Sequence, residues 1–440
     1  MRAAYVAATG IARAASLLAP SGDGKFIRSL RARAGLIDRV RARAAAVRDP
    51  GRPLLWMHAP SVGEGLQARP VFEALRTAHP DWQFAYTYFS PSAERFAQSM
   101  RADITDYLPF DRAADADAML EALRPSVLVF AKLDVWPILV ERTVARGIPV
   151  AMISATLAAG SGRRSWWSRQ LLRDAYAALA GVGAIDEANA TRLADLGVRR
   201  AALSVTGDTR FDQVWSRAER VDRASPLLTC LADDAWTVVA GSTWPADEAV
   251  LFAAWGARAS DAASSSHASK RKRLIIAPHE PTAAHLEPVE RWAQTAGWNC
   301  RRLSAIEAGA SARDTDIVLV DRVGVLGDLY ALADVAFVGG GFHSAGLHSV
   351  IEPAAFGVPV LFGPQHHMSR EAGLLIDAHA AHATHDAHDV RDRLRTWMDN
   401  DPARQQAGAA ARAVVQSERG ATARSVALIE QLVVRAVPRY

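Results

Sequence analysis

From Pro53 onward the chain alternates short β-rich apolar runs with longer amphipathic stretches, and this rhythm limits its fold more than any other feature. Runs of that kind are buried as parallel strands with helices covering both faces of the sheet. Strands are expected over 54–58, 84–88, 127–131, 150–154, 182–185 and 202–205, with helices over 66–76, 116–123 and 137–146 among them. A second series with the same grammar follows at 236–240, 274–277, 317–320, 335–338 and 358–362. Polar residues accumulate over 206–226, where the β pattern stops, which puts a domain junction near residue 222. At 440 residues the chain is longer than one core usually serves. The fold class expected is therefore α/β, with two doubly wound Rossmann-like domains, 49–222 and 223–440, facing a central cleft at the carboxyl ends of their strands. The Ala-rich stretch 402–435 has a helical period and could cross back to the first domain.

Charge is concentrated at one end. Residues 1–48 hold ten Lys and Arg against two Asp, a net +8, whereas the whole chain carries +4. An anionic leaflet attracts such a segment by about 1 kcal/mol per basic residue. Residues 3–19 are apolar apart from Thr9, Arg13 and Ser16, too short and interrupted to span a bilayer. They read as an interfacial helix with Arg13 snorkelling from its rim, making 1–48 a basic amphipathic membrane-associating segment. The plainer alternative is a helix packed on the first domain with its Arg-rich face in solvent. A cleaved leader is disfavoured because no A-x-A site follows Leu18. Nucleic acid would require basic residues elsewhere, and the four-residue run Lys270–Arg273 adjoins Ser264, Ser265 and Ser266 in what reads as a solvated loop, 258–273. Cys230 and Cys300 form no CxxC pair, so neither a disulfide framework nor a thiolate zinc site is indicated, and a reducing cytosol fits.

The most unusual residues follow strands. Ser61-Val62-Gly63-Glu64-Gly65 leaves the first strand, with glycines that let backbone approach a ligand and a carboxylate at a helix start. Glu64 is suited to taking a proton from an attacking hydroxyl, or simply to complementing the helix dipole. Pro70 is compatible with the following helix only in its first turn. Lys132 and Asp134 lie one side-chain period apart and could pair, Lys132 could instead meet an anionic group, and Trp136 reads as core. In the second half, Gly241-Ser242-Thr243-Trp244-Pro245 resembles a phosphate-cradling turn before a helix opened by Asp247 and Glu248. Pro278-His279-Glu280-Pro281 and Asp321–Asp328, with Gly324, Val325, Leu326 and Gly327, end later strands. A Walker lysine and a GxGxxG fingerprint are missing, which disfavours an NTPase or dinucleotide enzyme. Gly339, Gly340 and Gly341 would permit close passage past a ligand, and Gly346 follows in the same loop. Ser349 precedes Glu352 as in a capping box, leaving Glu352 either a cap or an acceptor for ribose hydroxyls. His379, His382, His385 and His388 could share a helical face at their spacing of three, although no Cys or paired Glu completes a metal site.

Taken in order, these segments resemble the bacterial 3-deoxy-D-manno-octulosonic acid (Kdo) transferases, glycosyltransferase family 30. The matching motifs are Ser61–Glu64, Gly207-Asp208-Thr209-Arg210-Phe211-Asp212, Gly241–Glu248, Ala277–Glu280 and Gly339–Gly363, across about residues 50–380. Lys132, His279, Glu280 and Ser349 depart from the common pattern, the first three in the manner of a subgroup with K-Y-E-F-W and A-P-H-E. The resemblance implies a GT-B fold with a lipid A precursor bound on the first domain and CMP-Kdo on the second. Glu64 would be the general base of an inverting transfer, with Ser61, Gly63, Lys132 and Asp134 on the acceptor side. Ser242, Thr243, His279, Gly324, Val325, Leu326, Gly340, Gly341, Gly346, Ser349 and Glu352 would surround CMP. No metal or cofactor is implied, because amides and helix dipoles can stabilise one phosphate leaving group. The basic N-terminus would hold the enzyme at the cytoplasmic face of the inner membrane. The competing expectations are an isomerase like the UDP-GlcNAc 2-epimerases, which share the architecture, and a non-catalytic GT-B scaffold.

Overall fold

The computed structural model describes residues 2–17, 25–258, 271–344 and 346–436; most of the expected Ser-rich loop lies outside them. Among the described residues are two sheets of seven strands, parallel throughout. The first contains β1 (Leu54–His58), β2 (Gln83–Tyr88), β3 (Ile104–Tyr107), β4 (Val127–Ala131), β5 (Val150–Ala155), β6 (Gly181–Ala184) and β7 (Leu203–Val205), in the order β3-β2-β1-β4-β5-β6-β7. The second contains β8 (Trp236–Thr243), β9 (Lys272–Pro278), β10 (Cys300–Arg302), β11 (Ile317–Leu319), β12 (Val335–Val338), β13 (Val360–Phe362) and β14 (Ala381–Ala383), in the order β10-β11-β9-β8-β12-β13-β14. The order reverses direction between β1 and β4 and again between β8 and β12, and loops leaving those strands are where doubly wound sheets place their sites. β1, β2, β4 and β5 are buried along their whole length, as a sheet covered on both faces demands. The three strands without an apolar run in sequence, β3, β10 and β14, are all edge strands paired on one side only, and β10 and β14 are also partly exposed.

The chain divides after Asp212 rather than near 222, and residues from Arg419 onward belong to the first unit. The returning helix, Ala421–Ala436, is fastened by the Asp212 carboxylate, which accepts from the amides of Gly420 at 2.7 Å and Thr422 at 2.6 Å. Arg424 Nε donates to the Thr206 carbonyl at 2.8 Å, and Ile429, Leu432 and Val433 complete the core of that unit. The motif Gly207–Asp212 thus has a structural task. Gly207 turns the chain at φ 87°, Asp208 pairs with Arg210 at 2.6 Å, Phe211 is buried, and Asp212 holds the returning helix.

The N-terminal segment packs on the same unit. In helix Arg2–Leu17 the Tyr5 hydroxyl donates to Asp111 at 2.9 Å, and Arg13 lies 3.7 Å from Asp115. Arg33 is only 2 % exposed; it donates to the carbonyls of Leu108 and Phe89, each at 2.9 Å, and lies 3.9 Å from the centre of the Phe89 ring. Burial lowers its pKa to about 10. Arg39 pairs with Asp106, and Arg48 donates to the Leu123 carbonyl. Of the basic residues counted toward a membrane-seeking segment, Arg33 is therefore spent inside the unit, and Arg39 and Arg48 are tied to its surface. Among the described residues no helix is long and apolar enough to cross a membrane.

Helix Val62–Ala78 starts earlier than its periodicity suggests, so Pro70 falls in its interior rather than its first turn. Pro70 removes the amide that would bond the Leu66 carbonyl, and in the same turn the Thr209 hydroxyl donates to the neighbouring Gln67 carbonyl at 2.7 Å. Replacing Asp212 by Ala removes both amide contacts at the start of the returning helix. Calorimetry is expected to show a lower thermal midpoint, equivalent to about 1–2 kcal/mol, with residues 419–436 the first to become protease-sensitive.

Candidate active site

In the first unit, Ser61 ends the turn after β1, and Glu64 lies in the first turn of the helix it precedes. The Ser61 hydroxyl does not cap backbone amides; it donates to the Glu64 carboxylate. Lys132 Nζ approaches the same carboxylate at 3.6 Å. Lys132 has φ 65°, a left-handed conformation that ends the alternation of β4 and separates its side chain from that of Asp134. The expected Lys132–Asp134 pair is accordingly absent. Asp134 instead accepts from Trp136 Nε1 at 2.9 Å and contacts His58 Nε2 at 3.3 Å and Arg163 at 3.5 Å. Burial pushes its pKa up, but the contacts with His58, Trp136 and Arg163 outweigh burial and hold it below the ordinary carboxylate range. Facing an acceptor-only carboxylate, His58 Nε2 carries a proton, while its Nδ1 lies 3.0 Å from the Thr87 hydroxyl, which itself accepts from Trp56. Trp136 packs against the core, as its sequence context suggests.

Ser61, Glu64 and Lys132 therefore converge, and Asp134 stands beside them in a second polar group. Gly63 is not sterically required: a Cβ there would meet nothing nearer than Ser61 Oγ at 3.8 Å. Gly65 is the constrained position, because a Cβ would collide with the Phe96 ring and the Tyr86 hydroxyl. No motif singles out Arg163, and His58 is distinguished only by closing the first strand.

In the second unit, β8 continues through Thr243, so Gly241–Thr243 is the end of a strand rather than a phosphate-cradling turn. A Cβ on Gly241 would strike the Tyr330 hydroxyl and the Leu326 methyl groups. Thr243 is buried and its hydroxyl donates to Glu248 at 2.8 Å, whereas Ser242, at φ 55°, retains some exposure. The Val325 side chain is buried in a hydrophobic cluster with Val239, Leu329 and Tyr330, and the half-buried Leu326 packs against it. Gly324 and Gly346, at φ 92° and 93°, have open space around them.

Asp247 organises this unit. Fully buried, it accepts from the amides of Trp244 at 2.9 Å, Gly340 at 2.8 Å and Phe342 at 3.0 Å. The three consecutive glycines are closely packed against their own chain. A Cβ on Gly339, Gly340 or Gly341 would collide with the Ser242 carbonyl, the Gly346 carbonyl or Gly363, respectively. The expected capping box does not form either, since helix Ile351–Ala355 starts after Val350. Ser349 bonds the Glu352 carboxylate instead; burial raises the pKa of Glu352, and Arg217 and Ser349 partly offset it.

The rings around Trp244 are the feature sequence reasoning missed most completely. Trp244 stacks on His343 with centroids 4.6 Å apart and lies 4.7 Å from His279, which in turn stacks on His348 at 4.6 Å. Trp244 Nε1 contacts His348 Nε2 at 3.1 Å. An indole N–H only donates, so His348 Nε2 is the acceptor and the imidazole is neutral with its proton on Nδ1. Burial, His279 and His343 all lower the His348 pKa, and Asp247 opposes them more weakly.

The four histidines from His379 to His388 do not share a helical face. His379 lies just beyond a helix, His382 is in β14, and His388 is in helix Ala387–Asp399, bonded to Asp392 at 3.1 Å. Among the described residues no group of three or more His, Cys, Asp or Glu could hold a metal ion.

Two all-parallel doubly wound sheets define a protein of the GT-B class, and known structures carry the same fold. The UDP-GlcNAc 2-epimerase from Neisseria meningitidis superposes with a TM-score of 0.59 at 12 % identity, covering 87 % of this chain and 100 % of that one. A glycosyltransferase from Rickettsia africae gives a TM-score of 0.57 at 10 % identity, covering 88 % and 100 %. The chain belongs to the 3-deoxy-D-manno-octulosonic acid transferase family. The profile described as 3-Deoxy-D-manno-octulosonic-acid transferase (kdotransferase) matches residues 28–213. The Bordetella pertussis 3-deoxy-D-manno-octulosonic acid transferase is 32 % identical over 401 residues, covering 89 % of this chain and 90 % of the relative. Its counterpart in Chlamydia trachomatis serovar A is 29 % identical over 349 residues, covering 78 % and 75 %.

Two outcomes follow from this geometry. Because the folded Asp134 pKa is depressed, its stabilising contribution is complete above the ordinary carboxylate pKa of about 4 and is lost as pH falls through the folded value. Asp134→Asn should therefore lower the thermal midpoint by a constant amount near neutrality, and the gap from wild type should shrink in acid. For Trp244→Phe, nitrogen-15 spectra of labelled histidines should show His348 losing its fixed Nδ1–H tautomer and titrating at higher pH than in wild type.

Proposed function

We propose that this protein transfers Kdo from CMP-Kdo to a lipid A precursor of the lipid IVA type, with inversion at the anomeric carbon, in lipopolysaccharide core biosynthesis. The observation that carries the reading is Glu64 held between the Ser61 hydroxyl and the Lys132 ammonium after β1, in a chain of the Kdo transferase family. Glu64 takes the proton of a glucosamine hydroxyl as that oxygen attacks the anomeric carbon. The bond from that carbon to the CMP phosphate oxygen breaks on the opposite face, and CMP leaves. Lys132 supplies positive charge beside the carboxylate and beside an anionic substrate.

On the second unit, Ser242 and Ser349 offer hydroxyls outside the packed core, and Gly324 and Gly346 leave open backbone. These groups, with His279 in the aromatic cluster and Glu352 near Arg217, are assigned to CMP. Transfer from an activated donor requires no redox cofactor. The acceptor is assigned to the cytoplasmic leaflet of the bacterial inner membrane, with the enzyme held there peripherally.

The test supplies CMP-Kdo, generated in place, and tetraacylated lipid A precursor to wild type and Glu64→Gln. Wild type should form product, and the variant should lose more than about 100-fold in rate, the scale for removing a general base. No product from folded, CMP-binding wild type would sink the substrate assignment. Turnover of UDP-GlcNAc without an acceptor would favour the epimerase reading.

A further inference from the structure

We infer that the segment from Arg163 to Arg173 is the bilayer-docking face of the first unit, with Trp166 and Trp167 entering the interface of an anionic membrane. This rests on the reading that the acceptor is a membrane lipid. It moves the principal membrane contact away from the N-terminal segment, where several of the arginines are spent on the protein itself.

The two indoles are adjacent in the first turn of helix Trp166–Ala178, 60 % and 66 % exposed, with ring centroids 4.5 Å apart. Among the described residues no other tryptophan is exposed. Their position does not reflect a poorly packed helix, because Leu172, Ala175 and Tyr176 bury its opposite face and the Ser165 side chain caps its start. An exposed indole pair suits the headgroup level of a bilayer, where an apolar ring and a polar N–H are both accommodated.

Charge selects the kind of surface. Residues 156–173 contain Arg163, Arg164, Arg169 and Arg173 and no acidic residue. Arg164 and Arg169 are exposed and donate to the backbone carbonyls of Ala159 and Asp195, partners that carry no full charge. Clustered arginines flanking exposed aromatics match an anionic leaflet. Along the same helix runs a groove of about 580 Å³, bordered by the apolar Ile138, Val144 and Leu171 and by the charged Arg2, Glu141 and Asp174. The segment is also tied to the candidate site, since Arg163 reaches Asp134 at 3.5 Å.

The test is co-sedimentation of the full chain with vesicles of phosphatidylethanolamine and phosphatidylglycerol, and separately with neutral phosphatidylcholine vesicles. Wild type should bind the anionic vesicles preferentially. Trp166→Ser/Trp167→Ser should weaken that binding on the order of tenfold or more, Trp166→Tyr/Trp167→Tyr should retain most of it, and Arg164→Glu/Arg169→Glu should remove the preference for anionic lipid. Circular dichroism melts of each variant establish that it is folded. Unchanged binding by the serine variant, or no binding by wild type to either vesicle, would overturn the proposal. The transfer assay separates the two readings: vesicle binding that needs the indoles, without Kdo transfer, keeps the docking face and removes the reaction.

Discussion

One buried carboxylate holds the second unit's site together. Asp247 accepts three backbone amides drawn from the helix that follows β8 and the loop that follows β12. Each amide stripped of such a partner costs about 1–3 kcal/mol, so the carboxylate makes the two connections a single object. That union allows Ser242 to touch the glycine loop, brings Trp244 against His343, and sets His348 where its Nε2 meets the indole N–H. In the first unit Asp134 has a related office, gathering His58, Trp136 and Arg163 beside the Glu64–Lys132 pair.

The two sheets were legible because a strand buried on both faces must be apolar along its length, and β1, β4 and β12 have the limits their apolar runs suggest. Edge strands escape that requirement, which is why β3, β10 and β14 left little trace. Of the site, the residues whose chemistry is unusual after a strand, Ser61, Glu64 and Lys132, could be read directly. Their partners could not. The left-handed turn at Lys132 is a backbone property of a residue that seldom adopts it, and it redirected the lysine from Asp134 to Glu64. The glycines were recognised as necessary, but the groups crowding them proved to be the chain's own carbonyls and side chains.

Composition counts charges without showing which are available. The N-terminal segment holds a large share of the positive charge, yet Arg33 lies among aromatic rings and backbone carbonyls, and Arg39 and Arg48 are engaged by the first unit. An arginine used as a multi-point clamp contributes rigidity more than surface potential. The arginines around Trp166 are fewer, but they stand on a surface that sequence composition did not distinguish.

The helix that returns to the first unit has a consequence for the order of assembly. Synthesis proceeds from the N-terminus and domains tend to fold as they emerge, but Ile429, Leu432 and Val433, which finish the first core, are made only after the whole of the second unit. The second unit, from Gln213 to Glu418, is a continuous stretch and has all its residues sooner. The half that begins first is therefore completed last. Damage to residues 419–436 is felt in the first unit, where Glu64 resides, rather than in the unit that immediately precedes them.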